Sequence, residues 1–290
     1  MNSLIYGSGF GLYGYLPAIY KFSTKIFLNK KYRVFFNSRS ELAKFKSKIV
    51  WFENINNTIH KIDYLVIAKR PSDQSRIIKS LLGKKNKIKH FFLEKPISLT
   101  PKKTINLLKI LYTKKINFSV GFLFEYTSWA KLIKKHLSIK KKNKIFIKWN
   151  ILKKINSTKS WKYNFNEGGG LLRYYGIHLI KLFSDFNFDN IEKNKINKNY
   201  WELKIQDNKK NSIQLMLKYS KTSNFSYKIN NAKFNKLHNP FFNKIHYKSI
   251  DPRCLYLKKY IHKNLSNNNV YQMRKFMDLW CAIENDVSTI

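Results

Sequence analysis

Two stretches of this 290-residue chain bring together residue types that can do chemistry on an alcohol or a ketone. In the first, Glu94-Lys95-Pro96 directly follows the apolar run Phe91-Phe92-Leu93. Lys95 therefore stands at the carboxyl end of a buried strand, where doubly wound sheets bind their ligands. An ammonium there would stabilise the alkoxide that develops as a secondary alcohol gives up hydride, and desolvation can lower its pKa enough for proton traffic. In the second, Gly168-Gly169-Gly170 opens the run Leu171-Leu172-Arg173-Tyr174-Tyr175-Gly176-Ile177-His178. Glycines such as Gly169 let a substrate approach backbone, and Leu171, Leu172, Tyr175, Leu179 and Leu182 mark a buried helical stripe. His178 follows Tyr174 by one helical turn, so the two share a face. An imidazole titrating near neutrality suits removal of a hydroxyl proton, and a hydrogen-bonded core histidine is the alternative.

A third stretch concerns a cofactor. The run Leu4-Ile5-Tyr6 breaks into Gly7-Ser8-Gly9-Phe10-Gly11 and then Leu16-Pro17-Ala18-Ile19, a strand, a glycine turn and a helix start. Such a turn lets backbone come within contact distance of a pyrophosphate, with the helix aiming its free N–H groups at the anion. Two registers are open. Gly9, Gly11 and Gly14 complete the formal G-x-G-x-x-G spacing. The end of the apolar run favours Gly7 and Gly9 as the first two glycines, with the third position at Leu12 and its packing role passing to Gly11. Beyond the run Tyr32–Phe36, read as the second strand, stand Asn37, Ser38 and Arg39, with no acid before Glu41. A cation with a hydroxyl suits a 2′-phosphate better than a free ribose diol, so NADP is favoured over NAD.

The elements that must position these residues change character along the chain. Strands at Leu4–Tyr6, Tyr32–Phe36, Ile49–Phe52, Tyr64–Ala68, Phe91–Leu93 and Phe118–Phe122 alternate with helices, the signature of a doubly wound parallel sheet. One of those helices opens at Thr100 and Pro101. From Trp129 the spacing of Leu132, Ile133, His136 and Leu137 predicts an amphipathic helix, with His136 at the edge of its packed face. Ile145–Ile151, Tyr200–Ile205, Ser212–Tyr219 and Asn224–Ile229 then alternate like strands of a largely antiparallel sheet, and Asn187–Asn199 reads as loop. Leu255–Ile261 and Met273–Ile283 read as helices. The fold class is α/β, with a dinucleotide-binding domain over 1–121 and an α+β domain with an open sheet over 122–290. That sheet has a face for a helix or for a partner subunit, the second of which would make a homo-oligomer.

With the glycine turn and Leu16-Pro17-Ala18, then Glu94-Lys95-Pro96, then the triple glycine followed by Gly176-Ile177-His178, the chain resembles the glucose-fructose oxidoreductase, inositol dehydrogenase and MocA family over nearly its whole length. The resemblance implies a Rossmann domain followed by a substrate domain, and hydride transfer between NAD(P) and a hydroxyl or ketone of a sugar or nucleotide-linked sugar. It implies cofactor contacts at Gly7, Ser8, Gly9, Phe10, Gly11, Ser38, Arg39, Ala68, Arg70, Pro71, Gln74, Glu94 and Lys95. Lys95 becomes catalytic beside the nicotinamide and His178 the general base, with Tyr174 as auxiliary. Substrate contacts fall on Trp161, Gly169, Tyr174, Tyr175 and His178, where Trp161-Lys162-Tyr163 resembles the family's aromatic segment. The chain departs from the family pattern at Tyr174, usually aspartate, at Lys181, often aspartate, at Gln74, usually histidine, and at Glu125, frequently arginine. The loss of aspartate at Tyr174 motivates a second reading, a catalytically silent member that binds cofactor or sugar as a partner or regulatory subunit.

Composition sets outer limits. The formal charge is +41, yet only 7 of the 57 basic residues are arginine and the lysines are dispersed. Phosphate and groove recognition favours arginine forks, so no nucleic-acid partner is expected, and a basic surface instead favours a phosphorylated or nucleotide-bearing substrate. No apolar run reaches membrane-spanning length and no signal-peptide pattern opens the chain, which reads as cytoplasmic. Cys254 and Cys281 are far apart without ligand-spaced partners, so neither a disulfide nor a metal site is expected.

Overall fold

A computed structural model describes residues 1–83, 87–139, 142–153, 160–242, 251–264 and 270–286. The chain divides into two compact units. The first comprises residues 1–98 and 103–123 together with a helix at Cys254–Asn264, and the rest of the described chain forms the second. The sequence places that helix in the second domain; it belongs instead to the first unit, packing on the helix at Leu16–Ile19.

Six parallel strands build the first unit: β1 (Asn2–Tyr6), β2 (Lys25–Asn29), β3 (Ile49–Phe52), β4 (Tyr64–Ile67), β5 (His90–Leu93) and β6 (Asn117–Val120), in the order β3-β2-β1-β4-β5-β6. This is the doubly wound order, with its switch point between β1 and β4. The interior strands are nearly continuous apolar runs because both faces are covered: Leu4, Ile5, Leu65, Val66, Phe91 and Phe92 are all buried. The helices are α1 (Leu16–Ile19), α2 (Arg33–Asn37), α3 (Pro71–Leu82) and α4 (Pro101–Thr113). α3 and α4 each open on proline, whose fixed φ and missing N–H suit a first helical turn.

One strand expectation fails here. Tyr32–Phe36 is not the second strand; most of it is α2, and β2 lies earlier at Lys25–Asn29. The Asn29 side chain accepts from the Lys31 N–H at 3.1 Å and starts a helical turn. Tyr32 and Phe36 are then buried four residues apart while Val34 is 82% exposed. A strand would have put all three on one face.

The second unit holds a six-stranded sheet of β7 (Lys144–Leu152), β8 (Phe188–Asn197), β9 (Tyr200–Asp207), β10 (Ser212–Ser220), β11 (Asn224–Ile229) and β12 (Asn235–Leu237), ordered β12-β11-β7-β10-β9-β8. Only β7 and β10 pair in parallel. Burial alternates along β7 and β10, with Ile145, Ile147, Trp149 and Ile151 buried opposite Ile213, Leu215 and Leu217. α5 (Ser128–Leu137) packs on β11, and α6 (Ile177–Asp185) and α8 (Val270–Asn285) on β8. The stretch read as loop, Asn187–Asn199, is mostly the edge strand β8. Its lysines and asparagines hide the alternation, and two register shifts interrupt it. Lys193 to Glu202 at 2.8 Å and Glu192 to Lys204 at 2.6 Å bind it to β9 instead.

α8 is anchored to α6's leading turn by a nearly buried ion pair. Arg173 donates to both carboxylate oxygens of Glu284, at 2.8 and 2.6 Å, and to the Phe165 carbonyl at 3.0 Å, while Trp280 Nε1 donates to Glu284 at 2.9 Å. Removing one partner of such a pair strands the other, at a cost of about 3–5 kcal/mol. Glu284→Ala should therefore markedly lower the urea midpoint of the second unit, followed by tryptophan fluorescence; an unchanged midpoint would refute the anchor.

Candidate functional site

In the first unit, three loops meet at the carboxyl edge of the sheet, after β1, β4 and β5. β1 ends at Tyr6, so the glycine turn begins at Gly7, in the register that makes Gly7 and Gly9 its first two positions. Gly7 has φ +139°, and a Cβ on it would fall 2.3 Å from the Ala68 carbonyl oxygen. Only glycine lets the β1 and β4 loops touch in this way. A Cβ on Gly11 would lie 3.1 Å from Ile5 Cγ2 and 3.6 Å from Ala68 Cβ, the close helix–strand packing of the motif's third glycine. Gly9 differs from both: it is exposed, and a Cβ there would meet nothing within 4 Å. The turn thus presents bare backbone to open space at the N-terminal end of a helical segment that starts with a π-turn over Gly11–Tyr15 and continues as α1. That is the cradle a dinucleotide pyrophosphate requires, and the residues present fit it.

The β5 loop carries Lys95, which is 7% exposed. Its backbone is held by Gln74 on α3. The Gln74 amide nitrogen donates to the carbonyls of Glu94, Pro96 and Ile97 at 2.6, 3.2 and 3.2 Å, and its oxygen accepts from the Glu94 N–H at 3.0 Å. Gln74 is fully buried, so the expected cofactor contact is not available to its side chain; it clamps the loop instead. Arg70 is exposed and Pro71 buried at the first turn of α3.

Behind Lys95, the Glu94 carboxyl takes a hydrogen bond from the buried Tyr15 hydroxyl at 3.3 Å. Burial pushes Glu94 up to about 7, against the charges of Lys95 and Arg253. Arg253 comes from the start of helix α7 (Cys254–Asn264), held by Asp251 at 2.5–3.1 Å, with its guanidinium 4.2 Å above the Phe10 ring of the glycine turn. Neither Tyr15 nor Arg253 was found by sequence reasoning; Tyr15 reads as an ordinary core aromatic, and Arg253 reaches the turn only because α7 packs on α1.

Ser38 and Arg39 are not at a strand end. They follow α2, and Arg39 lies 5.2 Å over the Phe35 ring. The residues that do follow β2 are Lys30 and Lys31, after Asn29, with Lys30 paired to Glu53 at 2.6 Å. The misplaced second strand explains the error.

In the second unit the glycine run is shaped by the chain itself. A Cβ on Gly169 would fall 2.1 Å from the Trp161 carbonyl oxygen, so this glycine accommodates the chain's own aromatic loop and not a substrate. Gly168 and Gly170 have φ +81° and +82°. A π-helical turn, Leu171–Gly176, then leads into α6. Trp161, Tyr174 and Tyr175 are brought together: Tyr174 meets Trp161 edge-on at 5.2 Å and Tyr175 at 4.8 Å. His178 has other neighbours. It is 4% exposed, stacked on Phe124 at 4.7 Å, with Phe241 5.8 Å away.

Among the described residues, no group of three or more His, Cys, Asp or Glu is placed to hold a metal ion, and no helix is long and apolar enough to cross a membrane. Cys254 and Cys281 are free thiols, both pushed up by burial.

Residues 1–122 match the family described as oxidoreductases with an NAD-binding Rossmann fold. A search among curated proteins finds no significant match. Among solved structures, the chain is similar to the WlbA (WbpB) dehydrogenase of Thermus thermophilus in complex with NAD and UDP-GlcNAcA, with a TM-score of 0.71 at 14% identity over 100% of this chain and 95% of that one. The MviM dehydrogenase of Clostridium difficile gives 0.70 at 17%, covering 99% of each chain. A super-repressor mutant of Gal80p from Saccharomyces cerevisiae gives 0.72 at 14%, covering 98% and 94%. At these identities the likeness establishes the fold.

Two outcomes follow from the first unit's geometry. Gly9→Val fills the open side of the turn without touching the protein, so it should abolish NAD(P) binding in calorimetry while leaving the thermal unfolding midpoint in place; unchanged affinity would refute the cradle. For Glu94, the folded chain keeps a proton between the ordinary glutamate value of 4.5 and about 7 that the unfolded chain releases. Stability should then fall as pH rises through that window. In Glu94→Gln this loss disappears, while the opposite contribution of His90, pushed down to about 4 by burial, is common to both proteins and cancels in the difference. A pH-independent difference in midpoint would remove this assignment.

Proposed function

We infer, for a chain whose residues 1–122 belong to the glucose-fructose oxidoreductase, inositol dehydrogenase and MocA family, that the protein transfers hydride between a nicotinamide dinucleotide and a hydroxyl or ketone of a sugar or nucleotide-linked sugar. The observation that carries this reading is the open glycine cradle at the switch point with the clamped, nearly buried Lys95 on the next loop but one. Bound in that cradle, the dinucleotide supplies the hydride acceptor or donor. Backbone at Gly7, Ser8 and Gly9 holds its phosphates, and the absence of an acid at Asn29-Lys30-Lys31 admits a 2′-phosphate as well as a free ribose.

Lys95 carries a cation whose water shell has been replaced by protein, which strengthens its hold on a developing oxyanion. Gln74 keeps the Lys95 backbone in one place, so no rearrangement of that loop is needed as charge develops. His178 is assigned the hydroxyl proton: between Phe124 and Phe241 its ring is confined to one plane. Tyr174 is assigned an auxiliary role at the family's aspartate position, and Trp161 and Tyr175 offer ring faces to a sugar. Self-association is assigned to the open face of the second sheet, where Phe146, Gln214 and Met216 alternate with the buried residues.

A second reading keeps cofactor or sugar binding without turnover. It is favoured by Tyr174, whose phenol replaces a carboxylate, and by the fold likeness to Gal80p. Assays of NADH or NADPH formation with sugars and nucleotide sugars separate the two. Lys95→Ala and His178→Ala should each lower turnover by roughly a hundredfold or more while barely changing cofactor affinity. Tyr174→Phe removes one oxygen and keeps the ring packing; a large loss assigns the phenol to the chemistry, and wild-type activity demotes it to packing. Tight cofactor binding with no turnover on any substrate would replace this reading with the silent one.

A further inference from the structure

The aromatic residues of the second unit continue well beyond Trp161 and Tyr174. Tyr175 meets Tyr219 of β10 at 6.2 Å, and Tyr219 meets Tyr163 at 5.5 Å, so one run of rings passes from Trp161 through Tyr174, Tyr175 and Tyr219 to Tyr163. A lysine stands at each end. Lys162 Nζ is 5.6 Å from the centre of the Tyr174 ring, and Lys153 Nζ is 4.9 Å from that of Tyr219 and 6.0 Å from that of Tyr163. All five rings are partly exposed, as is Lys153, and Lys162 is exposed. This differs from a core cluster, which excludes ammonium groups and closes over its rings.

The charge around these rings is one-sided. Glu167, on the loop that carries Trp161 and Tyr163, is engaged by the Asn164 amide at 3.0 Å, and Glu284 on α8 is engaged by Arg173. Burial, and then the Tyr163 hydroxyl, push Tyr175 and Tyr219 above the ordinary phenol value, so both remain neutral donors at physiological pH. The Tyr219 hydroxyl is shielded from solvent and has no hydrogen-bond partner among the described residues, a donor whose desolvation an acceptor would offset. Ring faces suit the apolar face of a pyranose, while two ammonium groups and a phenol donor suit an oxyanion.

We propose that this wall of rings, with Lys153 and Lys162 at its ends, binds a sugar that carries an oxyanion, a carboxylate or a phosphate, in preference to a neutral sugar. The proposal rests on the reading of Trp161, Tyr174 and Tyr175 as substrate contacts, and it makes Lys153, Lys162 and Tyr219 the residues that set substrate class. A neutral sugar would leave both ammonium groups without a counter-charge, whereas an aspartate in place of Tyr174 would repel the anion.

Calorimetric titration of the full chain, with and without NAD, compares glucose, glucuronate and glucose 6-phosphate. A charged hydrogen bond is worth about 1.5–3 kcal/mol, so at least one of the two anionic sugars should bind roughly tenfold or more tighter than glucose. Whichever anion binds tighter identifies carboxylate or phosphate as the group recognised. The double variant Lys153→Gln, Lys162→Gln should lose that advantage and keep its affinity for glucose, with Tyr219→Phe as a milder loss in the same direction. Equal binding of glucose and both anions, unchanged anion binding in the double variant, or no binding of any of the three sugars would overturn the proposal. Tight glucuronate binding without any NAD-dependent turnover would sink the dehydrogenase reading and leave this one standing.

Discussion

The approach of two backbones at Gly7 and Ala68 is the constraint on which the first unit's site depends. A side chain at Gly7 would come within 2.3 Å of the Ala68 carbonyl, so the loops after β1 and β4 can close on each other only because one of them lacks a Cβ. Once they close, Gly11 packs against Ile5 and Ala68, and the helical segment is fixed with its first turn facing the gap at the switch point. Gly9 then keeps its Cα side turned to open space, while its carbonyl accepts from the Leu12 and Tyr13 N–H groups at 3.0 and 3.1 Å and ties the turn to the helical segment. The open cradle is the remainder of a packing problem.

Each candidate site is also secured by one buried polar group used to the full. Gln74 spends both ends of its amide on the loop of Lys95, and Arg173 spends its guanidinium on Glu284 and the Phe165 carbonyl. Both must be satisfied where they are, because an orphaned amide or guanidinium out of water is expensive. That obligation turns flexible segments into fixed ones: the loop that carries Lys95 in one unit, and in the other the loop that carries Trp161 and Tyr163, whose end at Phe165 Arg173 holds and also stacks on at 3.6 Å. Gln74 stands where the resembling family usually has histidine, and the clamp shows what an uncharged amide does there: it accepts and donates at once, at every pH.

Charge is handled differently in the two units. In the first, an acid and two cations are packed together, and burial holds the Glu94 carboxyl near the point of taking up a proton, with Tyr15 beneath it. In the second, the acids are tied into ion pairs and hydrogen bonds, and lysines are left over the tyrosine rings. The high overall charge is spread over the surface, and only at these positions does it have a local direction.

Much of this was legible in the residues alone. Glycine spacing after an apolar run, a lysine directly behind a buried strand, and alternation along β7 and β10 depend on local stereochemistry and on burial period, which the chain carries at each position. Thus the class of the first sheet, the glycine register and strands β7, β9, β10 and β11 of the second sheet were set by the sequence by itself. Where local signals were balanced, tertiary structure decided. Tyr32–Phe36 suits strand or helix equally until the turn over Lys30–Tyr32 that Asn29 caps leads into it, and β8 has no apolar period because its stability comes from pairing with β9. Gln74's clamp, Gly169's close approach to Trp161, Arg253 over Phe10 and Tyr219 beside Tyr175 join residues between 8 and 243 positions apart. No periodicity reports such pairs, because they exist only after sheets and helices have packed.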